Sequence, residues 1–259
     1  MLEYLHLTSI PIFLLIFVRM IAFFVTLPLF SYRTIPIQFK IGFSFFLALI
    51  FFNTIDLSSF HIEGIYIFLL LKEIIVGLFI GLIAYIIVSA VQIAGGFVDF
   101  QMGFAIANVI DPQTGAQSPL TGQYFYMIAL LFLLSVDGHH LLIDGVYHSY
   151  QLIPIDSFIS FQNEGIAQLI ISVFNKMFLI AFQMAIPIVG CLFLVDVALG
   201  IIARTVPQLN VFVVGLPIKI FVSFVVILFF LSLYMMLVKT LFTNMFEAMR
   251  GLMDLFGGA

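Results

Sequence analysis

The chain has no tryptophan, a single cysteine and charged side chains at only 8% of its 259 positions. Cys191 stands alone in an apolar run, which excludes an internal disulfide and any multi-cysteine metal site. A formal net charge of -4, thinly spread, leaves no basic patch, so nucleic-acid binding is set aside. No Lys or Arg precedes Arg19 and no small-residue cleavage motif follows the first apolar stretch, which argues against a removable signal peptide. Neither a repeat of solenoid period nor a low-complexity tract occurs. The expectation is one domain with a subdivision near Glu164.

What the chain does have is apolar surface: 64% hydrophobic residues and a mean hydropathy of +1.28, far outside the soluble range. Uncharged runs at residues 74–98, 177–195 and 220–238 reach the length of about 20 residues that a helix needs to cross a bilayer. Residues 8–30, 41–55 and 122–136 supply three more apolar segments, the last two short. Hydropathy thus predicts an all-α membrane protein with about six spans. Arg33, Lys40 and Arg204 against the acids of the second and fourth loops favour an outside N-terminus, although Lys239 and Arg250 weigh the other way. Arg19 falls mid-span, where facing lipid would cost roughly 2.5 to 3.5 kcal/mol, so it is expected to face protein.

Residues 92–119, QIAGGFVDFQMGFAIANVIDPQTGAQSP, break the apolar pattern with glycines, amides and two aspartates. Unpaired polar groups cost several kcal/mol in hydrocarbon, so this tract must face protein or a water-filled path. Gly77, Gly81, Gln92, Gly96, Asp99 and Gly103 recur with Tyr85 and Val88 at intervals of three or four. They make one small or polar helix face suited to close packing, here read as packing between subunits. The helix should end near Asn108, because Asp111 and Pro112 start a turn and Gly115, Ser118 and Pro119 prolong an irregular loop. Among 33 phenylalanines and 11 methionines, most face lipid or core. Met102 and Phe104 are candidates for a deformable constriction beside the polar tract.

The last third reads as a long helical hairpin, bent or broken at Pro187, turning at a polar corner that holds Arg204, Pro207, Gln208 and Asn210. Pro217 lies inside the second apolar arm, followed by Lys219, and produces either a bend against a neighbour or a local kink. His139, His140 and Asp144 spell HHxxxD, a spacing that some acyltransferases use. Here it falls in a polar connection between spans, 137–164, without placed partners. The two histidines are adjacent on a helix and point apart, so no metal is assigned. Asp99, Lys176, Asp196 and Arg204 are too scattered for a proton relay and are expected to pair across helices. A secondary transporter of small solutes is the alternative class, although no inverted repeat is visible.

With these residues in view, the chain resembles the FliR family of flagellar and virulence type III export proteins. The most specific segments are GGFVDFQMGFAIANVIDPQTGAQ at 95–117 and ARTVPQLNVFVVGLPIK at 203–219. RMIAFFVTLPLF at 19–30 and DGHHLLI at 137–143 are shorter echoes. The resemblance implies a subunit of an export gate in the bacterial inner membrane and flagellar basal body, joined to FliP and FliQ and neighbouring FlhB and FlhA. Unfolded flagellar proteins would leave through it, with no catalysis and no cofactor. It also implies long tilted, broken hairpins, with residues 1–164 FliP-like and residues 165–259 FliQ-like. The family's gate-closing loop falls on residues 106–121. Ile106 opens that plug, Asn108, Ile110, Asp111 and Pro112 follow at its start, and Gln113, Gly115 and Gln117 continue it.

Overall fold

The computed structural model describes residues 9–30, 35–55, 66–104, 119–157, 159, 164–208 and 210–258. Among these, every regular element is a helix. In chain order they are α1 (Ser9–Thr26), α2 (Ile37–Thr54), α3 (Tyr66–Met102), α4 (Leu120–Ser135), α5 (Gly138–Leu152), α6 (Glu164–Thr205) and α7 (Val211–Gly257). They form two compact units: residues 1–87, 137–174 and 244–259, and residues 88–136 and 175–243. Helices α3, α6 and α7 contribute to both.

The first unit is built around α1. Its Leu15, Ile16, Met20, Phe23 and Phe24 are all but inaccessible. Facing it, α3 presents Gly77 and Gly81. A Cβ at Gly77 would lie 2.8 Å from that of Ala22, and one at Gly81 would lie 2.9 Å from the Phe23 carbonyl. Absence of side chains at these two turns is what lets the helix axes approach. Phenylalanines then tie α2 to α1, with Phe43 5.1 Å from Phe24 and Phe45 5.4 Å from Phe13, ring centre to ring centre.

In the second unit the same device joins α3 to α4. The backbones of Gly95 and Gly122 touch, and neither could carry a side chain without displacement. The buried apolar side chains of this unit include Val91, Val98, Met102, Phe125 and Ala129 of α3 and α4, with Ala181, Met184, Ile188 and Leu192 of α6. Buried Tyr234 of α7 donates its hydroxyl proton to the Phe125 carbonyl.

Four described helices are long and apolar enough to cross a membrane, rising to five if α4 and α5 make one bent span. That corrects the expectation of about six. The first apolar stretch has 18 helical positions among the described residues and its helix stops before Leu27 and Pro28. The fourth breaks at Asp137 and turns by 73° into α5. A second correction concerns residues 137–164, read as a polar connection. Gly138, Leu142, Val146, Ser149 and Tyr150 form a buried stripe at helical spacing, and an amphipathic helix results. Asp137 provides the corner with a left-handed φ of 56°. At Pro187, where the sequence left a bend or a break open, α6 runs on for 42 residues without a break, as α7 runs through Pro217 for 47. At 1.5 Å per residue these helices are about 63 and 70 Å long, roughly twice the ~30 Å hydrocarbon layer. They must tilt strongly or project from it.

Candidate functional site

Asp99 stands at the base of the polar tract and is 2% exposed. Its backbone carbonyl accepts from Gly103 N–H at 3.1 Å and from Phe104 N–H at 2.9 Å, closing the C-terminus of α3. Gly103, at φ 91°, supplies the left-handed turn that this closure needs. The Asp99 carboxylate accepts the Thr121 N–H at 3.1 Å and the Thr121 hydroxyl as well. Met102 beside it is fully buried, with Sδ 3.9 Å from Thr121 Oγ1, while Phe104 is half-buried.

A second polar group in this unit joins three helices. Lys219 of α7 forms an ion pair with Asp196 of α6. Asp196 also accepts from Gln101 Nε2 of α3 at 2.8 Å, and Lys219 Nζ reaches the Gln101 carbonyl at 3.5 Å. The expected pairing of Asp196 across helices is found here. Lys219 therefore belongs to an interhelical cluster, separate from the corner with which the sequence grouped it. Arg204, Pro207, Gln208, Asn210 and Pro217 all lie exposed. Asn210 begins α7 by accepting the Val213 N–H on its side chain at 3.4 Å.

The first unit contains a charge cluster that the sequence only half revealed. Arg19 faces protein as expected, fully buried, and its partner is Glu73 of α3, held through two guanidinium nitrogens. Lys72 lies inside α3, buried and 2.6 Å from the same carboxylate. Two cations thus share one anion, and α5 with the residues just after it provides the remaining acceptors. Arg19 donates to Ser149 Oγ and the Ile153 carbonyl, both at 3.0 Å, and its guanidinium lies 4.0 Å from the Tyr150 ring centre. Lys72 donates to the carbonyls of Pro154 and Ile155 at 2.8 and 3.1 Å. The cations gather at the C-terminal, negative end of the α5 dipole, which is electrostatically where they belong.

Not every member of the stripe performs alike. Gly77 and Gly81 are occupied by α1 of the same chain, Asp99 by Thr121, and Gly103 ends α3 against Leu216. Gln92 and Gly96 stay half-buried, with the Pro119 ring 3.5 Å from a Cβ built at Gly96. The plug positions Ile106, Asn108, Ile110, Asp111, Pro112, Gln113, Gly115 and Gln117 lie outside the described residues. His139 and His140 do not point apart: their rings lie 4.1 Å centre to centre, tilted by 37°, and with Asp137 they bring three ligand-type atoms within 4.8 Å of one another. The left-handed corner at Asp137 folds them together, an effect that helical spacing alone does not show. His140 sits 3.6 Å from Asp137 on the exposed surface, an ordinary ion-pair geometry.

Comparison with known proteins decides the family. The profile of the family described as bacterial export proteins, family 1, matches residues 10–245. The chain belongs to this family. It is 58% identical over 249 residues to the flagellar biosynthetic protein FliR of Bacillus subtilis (strain 168), spanning 95% of this chain and 96% of that relative. The corresponding protein of Escherichia coli (strain K12) is 24% identical, covering 88% of this chain and 87% of the relative. A virulence relative matches as well: Yop proteins translocation protein T of Yersinia pestis is 35% identical over 57% of each chain. Within the family frame, the matched span includes both units' polar clusters, from Arg19 to Lys219.

Proposed function

We propose that this chain is a subunit of the flagellar type III protein export gate in the inner membrane and, with FliP and FliQ, forms the conduit through which unfolded flagellar proteins leave the cell. FlhB and FlhA are its further neighbours. The observation that carries this reading is the 58% identity to a flagellar FliR protein along almost the whole chain.

In this reading residues 106–121 plug the conduit, with Phe104 and Met102 as the apolar constriction beside them, and partner subunits pack where Gln92 and Gly96 remain half-buried. The exposed corner from Arg204 to Asn210, with Pro217, offers a further assembly surface. Residues 1–164 are FliP-like and residues 165–259 FliQ-like, so one chain would combine both subunit types. A polar loop closed by apolar neighbours blocks ions and yields to an arriving chain. The role is assembly and gating, without catalysis.

The test is purification of the tagged chain from its native membrane. Recovery of two smaller membrane proteins in a fixed ratio is the expected result; solute uptake by the chain alone would favour a small-solute transporter and remove the gate reading. Deleting residues 110–117 is expected to open an ion leak in cells that assemble the gate, and unchanged conductance would count against the plug.

A further inference from the structure

We infer that Asp137, His139 and His140 form a binding site for a divalent transition-metal ion of the Zn2+ class at the start of α5. Nothing in this site depends on the gate.

Successive side chains on a regular helix leave its axis about 100° apart, so two adjacent histidines ordinarily serve different surroundings. Here the helix has only begun. Asp137 stands just before its first turn, and a left-handed φ of 56° redirects the chain immediately ahead of the two rings. The rings lie 4.1 Å apart between centres, and one ligand-type atom from each of the three residues lies within 4.8 Å of the others. A tetrahedral ion with bonds of about 2.0–2.2 Å holds its ligand atoms about 3.4 Å apart. His140 Nδ1 and Asp137 Oδ1 are already 3.6 Å apart.

Two of these groups are also unspent. An aspartate just before a helix ordinarily accepts one of the first N–H groups through its side chain. Asp137 makes no such cap: its backbone carbonyl takes the His140 N–H at 3.0 Å, and its carboxylate turns to the His140 ring. His139 Nδ1 is covered by protein yet has no hydrogen-bond partner among the described residues. A covered polar atom left alone is rare and points to an unseen water or ion. Two imidazoles with one carboxylate suit Zn2+, Ni2+ or Co2+, whereas Mg2+ and Ca2+ prefer oxygen throughout. The Asp137 and His140 side chains are 79% and 70% exposed, which lets an ion enter and leaves its remaining positions to water. The positive end of the α5 dipole works against a cation here, and the Asp137 charge offsets it.

The experiment uses the full chain in detergent with a histidine-free tag and Cys191→Ser, so that no thiol competes, stripped by a chelator and titrated with Co2+. Saturation at one Co2+ per chain is expected, with a visible absorption that Zn2+ abolishes by displacement. His139→Ala, His140→Ala and Asp137→Asn are each expected to weaken binding about tenfold or more, because losing a ligand costs at least as much as losing one of its supports. Asparagine tolerates the left-handed corner, so the last variant removes the charge alone. His148→Ala, on the same helix beside Asp144, is expected to bind as the parent does. No saturable uptake by the parent, uptake unchanged by His139→Ala or by His140→Ala, or uptake lost with His148 overturns the inference. X-ray absorption at the zinc edge of the Zn2+-loaded parent needs no variant to fold: two imidazoles on the ion are expected, and one or none overturns the inference.

Discussion

Arg19 and Glu73 carry opposite charges into the fully buried interior of the first unit, and their value lies in each other. Substituting Glu73→Gln leaves Arg19 and Lys72 buried together without an anion, and removing one partner of a buried pair costs about 3–5 kcal/mol. The expected outcome is a variant that unfolds at lower temperature in detergent and is recovered in reduced amount. An unchanged melting temperature would show that the carbonyls of Ile153, Pro154 and Ile155 suffice. The sequence disclosed the need at Arg19, since a mid-span guanidinium must find acceptors. It could not disclose the partner, because Glu73 is 54 positions away and nothing local marks their pairing. Asp99 was legible in the same half-way: its depth in an apolar run was plain, whereas its bond to Thr121 depends on a return path that composition does not encode. Lys219 went astray because neighbours in sequence grouped it with the corner, while its helical phase turns it toward Asp196.

At the level of the helix, glycines divide into those that permit contact and those that do not. Gly95 meets the backbone of Gly122, whereas nothing lies within 4 Å of a Cβ at Gly190. Gly95→Ala is expected to destabilise by about 1–3 kcal/mol through overpacking. Gly190→Ala, by contrast, gains about 0.5–1 kcal/mol from helix propensity. Thermal unfolding of the two variants in one detergent checks the sign difference; a shared sign would refute the packing argument. Spacing alone exposed the small-residue face of α3, and the close approaches at Gly77 and Gly81 follow from it. It did not reveal that the partner there is α1 of the same chain. Helix α5 escaped notice for the opposite reason: its buried stripe is narrow and its composition polar, so a hydropathy window passes over it although its 3.6-residue period is present.

For the molecule as a whole, length sets the constraint. The apolar stretch of α3 is 56% buried, against 22% in α6 and 17% in α7, so the greasiest stretches of the two longest helices are left largely uncovered by the rest of the chain. Neither fits upright in a bilayer. Single cysteines placed along the exposed faces of α6 and α7, in a Cys191→Ser chain held in nanodiscs without partners, should react with a membrane-impermeant maleimide outside a protected stretch of about 20 residues. Protection along the full length of both helices would mean that they lie within the layer, contrary to this expectation. The all-helical class and the hairpin of the last third were legible because long apolar runs leave few alternatives. The span count was less so, since hydropathy measures greasiness and does not see a 73° corner.

The charge cluster around Arg19 also ties together distant parts of the chain. Its guanidinium is met by Glu73, 54 positions on, and by Ser149 and the Ile153 carbonyl, 130 and 134 positions on, so a single buried cation has its full set of acceptors only when α1, α3 and the end of α5 have all come together.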